Sequence, residues 1–219
     1  MARYAISQPV TQVEAPRLLT GNGRYTDDIQ LQHQTYAIFL RSPYAHAEIS
    51  NIDCSTAKTM PGVLSILTGE DYQNDKIGNL TGLSPMRKRD GTPMYRPPRP
   101  ALTRDRVRHV GQSVAIVVAE TVNEAKDAAE AIKVNYEPLP FHLSTGNANH
   151  PETPSLWPEC PNNEPVFAEY GDELKVEAAL EKAPHVIRQK FIINRVAGST
   201  MEPRAVVASF DPGKNHYTI

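Results

Sequence analysis

Nineteen prolines are spread through 219 residues. Each one fixes its backbone angle and removes a donor, so helix interiors and central strands exclude it. Where prolines crowd, the chain must run as extended connection. Prolines 85, 93, 97, 98 and 100 crowd the stretch Asn74–Arg108, which has no apolar period and reads as a long loop. A loop of that length inside a compact domain is functional, or is covered by another chain. Phe141–Tyr170 is also proline-rich and aperiodic, holds the single tryptophan, Trp157, and reads as a linker.

Regular structure is confined to the segments between. Thr35–Leu40, Ala47–Ile52 and Val63–Leu67 are short strand candidates, the last preceded by the turn signal Pro61-Gly62. Asp53–Thr59 reads as a helical turn capped by Asp53 or Ser55. Ser113–Ala119 is a continuous apolar run, as in a strand buried on both faces. Thr121 with Glu124 makes a capping-box pattern, and Val122, Ala125, Ala129 and Ile132 then recur at helical spacing. Val134 and Tyr136 alternate in a strand that Pro138 and Pro140 end. This strand–helix–strand unit predicts an α/β or α+β domain closing near Pro140. Beyond the linker, Glu173–Lys182 reads as a helix with an acidic first turn. Val186–Asn194 and Ala205–Phe210 read as strands. Asp211–Asn215 is hairpin-turn chemistry leading into His216–Ile219, and that second strand looks cut short.

Composition narrows the function classes. With 40% hydrophobic and 22% charged residues the chain is globular, and a net charge of −2 gives no global pull on nucleic acid or anionic membrane. No apolar run reaches the roughly 18 residues of a membrane span. Met1–Val10 lacks the charged-then-apolar pattern of a secretory signal. Two cysteines, Cys54 and Cys160, cannot build a disulfide framework. The expectation is a reducing, cytoplasmic setting.

Self-contained chemistry is hard to find. Gly21-Asn22-Gly23 starts a dinucleotide-like pattern, but Thr26 stands where glycine is needed, and no strand precedes it. It reads as a glycine turn. None of the seven histidines pairs at helical spacing or neighbours a cysteine, so no protein-ligated metal is expected. His46 reads as a satisfied histidine at a strand end. Cys54 sits beside Asp53, whose charge keeps the thiol protonated. Arg87, Lys88, Arg89, Arg96, Arg99, Arg104, Arg106 and Arg108 are a local basic excess. They suit a solvated loop, or one docked on an acidic partner surface, better than nucleic acid, since only Tyr95 among them could stack on a base.

Several blocks together resemble the large, molybdenum-cofactor-binding subunit of the molybdenum hydroxylases: xanthine dehydrogenases, aldehyde oxidases and aerobic carbon monoxide dehydrogenases. Arg17–Ile29 (RLLTGNGRYTDDI) looks like that subunit's entry motif, and Arg41–Ile49 (RSPYAHAEI) like its next block. Met60–Val63, Leu67–Asp71 (LTGED), His109–Ala115 (HVGQSVA) and Tyr136–Pro140 (YEPLP) follow in order. Asn194-Arg195 and Met201–Arg204 resemble the first strands of the cofactor-binding domain.

The resemblance implies an α+β fold: an α/β hammerhead containing the strand–helix–strand unit, then the first strands of a larger α+β cofactor-binding domain. The expected division is an N-terminal arm over 1–16, the hammerhead over 17–140, a linker over 141–170 and the start of the cofactor-binding domain over 171–219. It further implies a molybdenum–molybdopterin cofactor, as the cytosine dinucleotide, with FAD and 2Fe-2S clusters on medium and small partner subunits. The whole enzyme would oxidise or hydroxylate an aldehyde, a purine, an N-heterocycle or carbon monoxide with oxygen from water. In the family the cofactor-proximal glutamine, the glycine-rich cofactor loop and the general-base glutamate lie beyond the span matched here. This chain is therefore expected to supply scaffold and subunit docking without a catalytic or metal-ligating residue of its own. Glu202 and Arg204 are the positions expected nearest the cofactor, with Glu202 the local candidate to pair Arg204. The alternative is a stand-alone hammerhead that scaffolds other chains without catalysis.

Overall fold

The computed structural model describes residues 11–80, 82, 84–194, 196–200, 202 and 204–219. Arg195, Met201 and Pro203 of the quoted motifs lie outside the described residues. In chain order the elements are α1 (Ala15–Leu19), β1 (Tyr36–Arg41), β2 (Ala47–Asp53), β3 (Val63–Thr68), α2 (Gly69–Asn74), β4 (Arg106–Val107), β5 (Ser113–Ala119), α3 (Val122–Ala131), β6 (Lys133–Pro138), α4 (Glu173–Lys182), β7 (Ser209–Asp211) and β8 (His216–Thr218). They pack as two units, one spanning Thr35–Val186 and one combining Met1–Gln34 with Ile187–Ile219.

In the larger unit the apolar run β5 is the middle strand of a three-stranded antiparallel sheet, between β1 and β3. Ile38 and Ile66 both stand opposite Val117, so one face of the sheet carries a row of branched apolar side chains. Helix α3 covers that face with Ala125, Ala128 and Ala129, whose small side chains let the helix sit close. Val114 and Val117 are fully buried, and each such side chain contributes about 1.5–3 kcal/mol by leaving water. Thr121 caps α3: the Glu124 amide donates to Thr121 Oγ1 at 3.2 Å, while Glu124 Oε2 accepts that hydroxyl at 2.8 Å rather than the Thr121 amide, so only the N-cap half of the expected capping box forms.

β6 does not rejoin this sheet. It pairs with β2 in a second antiparallel sheet of order β4-β2-β6, so the strands flanking α3 belong to different sheets and the fold is α+β. Leu40 and Val134 pack against both apolar clusters and join the two sheets. β4 lies within the stretch expected to be loop. Its Val107 is fully buried opposite Ala47, and two residues are too few to show a period.

Two further expectations need correction. Val186–Asn194 forms no strand, and Ile187 and Ile193 are each 91% exposed. Ala205–Phe210 is strand only from Ser209 onward. A strand pattern becomes a strand only where a partner takes up its backbone groups, and sequence pattern does not reveal the partner. The hairpin turn does form: Asp211 Oδ1 accepts the Gly213 and Lys214 amides at 3.0 and 3.2 Å, and Phe210 stacks on Tyr217 at 4.5 Å. Among the described residues no helix is long and apolar enough to cross a membrane.

Candidate functional site

Three of the sequence blocks converge where the two sheets meet. Ser42, buried at the end of β1, donates its amide to Gln112 O at 2.9 Å and accepts the Gly111 amide at 2.8 Å. The Arg41 guanidinium donates to Gly111 O at 2.9 Å. These bonds tie Arg41–Ile49 to His109–Ala115. The Leu139 amide donates to His46 O at 2.9 Å, His46 Nδ1 lies 2.8 Å from Pro140 O, and Tyr44 stacks on Tyr136 at 5.0 Å. These bring in Tyr136–Pro140. A carbonyl only accepts, so Nδ1 carries the ring proton. His46 Nε2 is buried and lacks a hydrogen-bond partner among the described residues. His46 is thus only half satisfied, unlike the sequence expectation.

The Leu67–Asp71 block is explained by geometry too. Asp71 Oδ2 accepts the Thr68 amide at 2.7 Å and the Thr68 hydroxyl at 2.8 Å, closing the start of α2. The backbone bond from Thr68, then the hydroxyl bond, holds the Asp71 carboxyl below its ordinary range. Gly69 allows the backbone at Thr103-Arg104 to approach: a side-chain carbon there would lie 2.5–2.6 Å from it.

The basic stretch is largely anchored by the chain itself. The Arg108 guanidinium lies 3.5 Å from the centre of the Trp157 ring, and its Nε donates to Leu156 O at 3.2 Å. The Arg108 amide donates to Gln112 Oε1 at 2.7 Å. Arg89 pairs with Glu169 at 2.9 Å, its amide donates to Phe167 O at 3.1 Å, and the Tyr95 amide donates to Pro165 O at 2.8 Å. Arg106 pairs with Glu48. The proline-rich segment around 156–169 therefore straps the basic loop. No residue pattern pointed to this pairing; Trp157, half-buried and alone of its kind, was the available signal.

In the smaller unit, Glu202 Oε1 accepts the Thr26 amide at 3.1 Å, and the Thr200 hydroxyl donates to Glu202 O at 2.6 Å. The entry motif and the Met201–Arg204 motif thus meet across 176 positions of sequence. Among the described residues Glu202 makes no ion pair with Arg204, and both are exposed. No group of three or more metal-ligating side chains forms among the described residues. Burial pushes both the Cys54 and Cys160 thiols up, leaving them poor nucleophiles.

Comparison with known proteins agrees with this block structure. Residues 20–140 match the model of the aldehyde oxidase and xanthine dehydrogenase a/b hammerhead domain, and residues 156–219 match a molybdopterin cofactor-binding domain. The chain is 35% identical over 211 residues to the 6-hydroxypseudooxynicotine dehydrogenase complex subunit gamma of Paenarthrobacter nicotinovorans, covering 96% of this chain and 26% of that one. It is 32% identical over 220 residues to the carbon monoxide dehydrogenase large chain of Afipia carboxidovorans, covering 95% and 26%. Among solved structures, the Cu,Mo-CO dehydrogenase superposes with a TM-score of 0.65 at 30% identity over 80% of this chain and 22% of that one. Quinoline 2-oxidoreductase from Pseudomonas putida 86 superposes at 0.58 with 35% identity, over 66% and 18%. The chain spans about a quarter of the length of these curated relatives. With the hammerhead model matched over more than half its residues, the chain belongs to the aldehyde oxidase and xanthine dehydrogenase family, that of the molybdenum hydroxylase large subunits.

Proposed function

We propose that this chain is the N-terminal portion of the large subunit of a molybdenum hydroxylase. It spans the hammerhead over 17–140, a connecting segment over 141–170 and the start of the cofactor-binding domain over 171–219, after an arm over 1–16. The complete enzyme oxidises or hydroxylates an aldehyde, a purine, an N-heterocycle or carbon monoxide with water-derived oxygen, in the cytoplasm. The observation that carries this reading is the order of the two domain matches, hammerhead then cofactor domain, along one chain.

The group held by the complete subunit is molybdenum–molybdopterin as the cytosine dinucleotide, which supplies the two-electron redox chemistry. FAD and 2Fe-2S clusters would be held by medium and small partner subunits and would supply the onward electron transfer. The described residues of this chain do not form a cradle for the pterin on their own. Glu202 and Arg204 are exposed, and the Glu202 carboxylate is engaged by the Thr26 amide. An open cleft of about 440 Å³ lies elsewhere, lined in part by Met86, Lys88 and Tyr170. On this reading the chain supplies scaffold and docking, with catalysis on residues outside it. Glu202 and Arg204 remain its positions nearest the cofactor. The test is substrate-dependent dye reduction by the complex purified through this chain. Turnover of an aldehyde, a purine, an N-heterocycle or carbon monoxide supports the reading. Turnover by the 219 residues alone contradicts the assignment of catalysis to the remainder.

A further inference from the structure

Two boundaries in this chain do not coincide. The match to the cofactor-binding domain begins at residue 156, yet the larger packed unit runs on to Val186. The segment between therefore matches one domain and packs with the hammerhead. Its fastenings run in antiparallel order along the basic loop. Leu156 and Trp157 meet Arg108, Glu159 and Pro165 meet Tyr95, and Phe167, Glu169 and Glu173 meet Arg89. The seam between Lys88 and Arg89 on one side and Glu164 and Glu169 on the other is lined by both signs of charge, so the loop and the segment complement each other.

The two ends of this seam differ in kind. At the first, Trp157 and Arg108 are both half-buried, the Tyr95 ring lies 6.4 Å from the Trp157 ring, and Cys160 is buried. Asn163 closes the turn there, accepting the Leu156 amide at 2.8 Å and donating to Ala148 O and Pro154 O at 3.0 Å. Contacts shielded from water are little weakened by salt. At the far end the Arg89, Glu169 and Glu173 side chains are 67%, 39% and 63% exposed. Exposed ion pairs are individually weak, and salt screens them. Helix α4 starts at Glu173 and buries none of its residues. A helix of ten residues depends on what it leans on more than on its own propensity. Among the described residues, the one polar tie from α4 to the rest of the unit is Glu173 on Arg89.

We infer that residues 156–182 form a strap hinged at Trp157 and latched at Arg89, and that opening the latch frees α4 while the hinge stays shut. Arg89 is then a positioning residue: it decides whether the first helix of the cofactor-domain match stays with the hammerhead. The Arg89 amide bond to Phe167 O survives substitution of the side chain, so a variant at this position tests the ion pairs alone.

The test is a distance measurement on the full chain. Spin labels are placed through Lys126→Cys on α3 and Glu177→Cys on α4, both exposed positions, while the native cysteines stay buried. Their separation is read by pulsed electron resonance from low to 1 M salt, and Trp157 emission reports the hinge. The expected result is one narrow distance in the parent at low salt. Arg89→Ala should raise the ratio of open to closed strap by roughly threefold to tenfold, as should Glu169→Gln with Glu173→Gln. High salt should bring the parent to the level of Arg89→Ala and leave that variant unchanged, with Trp157 emission constant throughout. Arg87→Ala is the control, since that neighbouring guanidinium donates to Gly91 O and not to the strap. It should match the parent. Identical distances in the parent and Arg89→Ala overturn the inference. So does an effect of Arg87→Ala as large as that of Arg89→Ala, which would mean that loop charge at large holds the segment. A shift of Trp157 emission on opening also overturns it, because the strap would then lift as one piece without a hinge.

Discussion

The amide of Thr26 donates to Glu202 Oε1 at 3.1 Å, joining two motifs that are 176 positions apart. The bond is exposed, so water replaces it readily. Glu202→Ala is expected to cost at most about 1 kcal/mol. Hydrogen exchange at the Thr26 amide should quicken in Glu202→Ala and stay slow in Glu202→Gln, which keeps an acceptor. Equal exchange in all three would mean the bond does not hold the motifs together.

Arg108 over Trp157 is the strap's principal fastening, at 3.5 Å to the ring centre. Arg108→Ala removes the cation–π contact and the bond to Leu156 O, for an expected loss of about 1–2 kcal/mol. Trp157 should then emit at longer wavelength as water reaches the ring. Emission unchanged by the substitution would show that the strap is held by other contacts.

Gly69 is required by close approach, not by a left-handed angle. Gly69→Ala drives a carbon to 2.5 Å from the Thr103 backbone and is expected to cost about 1–3 kcal/mol. Gly78→Ala meets nothing within 4 Å and serves as the control. Thermal melts of the two variants should separate clearly; matching melts would place the 103–104 backbone wrongly.

Asp71 is held below its ordinary 3.8 by the Thr68 amide and then the Thr68 hydroxyl. A depressed carboxyl stabilises the fold fully above 3.8, and that contribution disappears as the pH falls below it through the lowered folded value. The stability gap between wild type and Asp71→Asn should therefore be widest near neutrality and close in acid. A gap that widens on acidification would reverse the sign of this coupling.

Much of the fold was legible because its period was local. Thr121 and Glu124 announced the start of α3, Glu173–Lys182 coincides with α4, and the run Ser113–Ala119 coincides with β5. What remained hidden depended on partners far away in sequence. Val107 is buried only because Ala47 lies opposite, and Val186–Asn194 stays exposed because no described strand pairs with it. The motif blocks were legible as a set, but not their roles. The Ser42 and Gly111 bonds that lock two of them together are main-chain contacts, which residue identity does not announce. The fastening of Arg108 to Trp157 escaped for a similar reason, since neither residue belongs to a periodic segment.

Metal analysis of the intact complex, purified through this chain, decides most directly whether this is part of a molybdenum hydroxylase large subunit. Stoichiometric molybdenum, with cytosine nucleotide released from the cofactor by acid, is the result expected. A fully assembled, folded complex that carries no molybdenum and no pterin after growth in molybdate would contradict it, and would favour a hammerhead that serves only as scaffold.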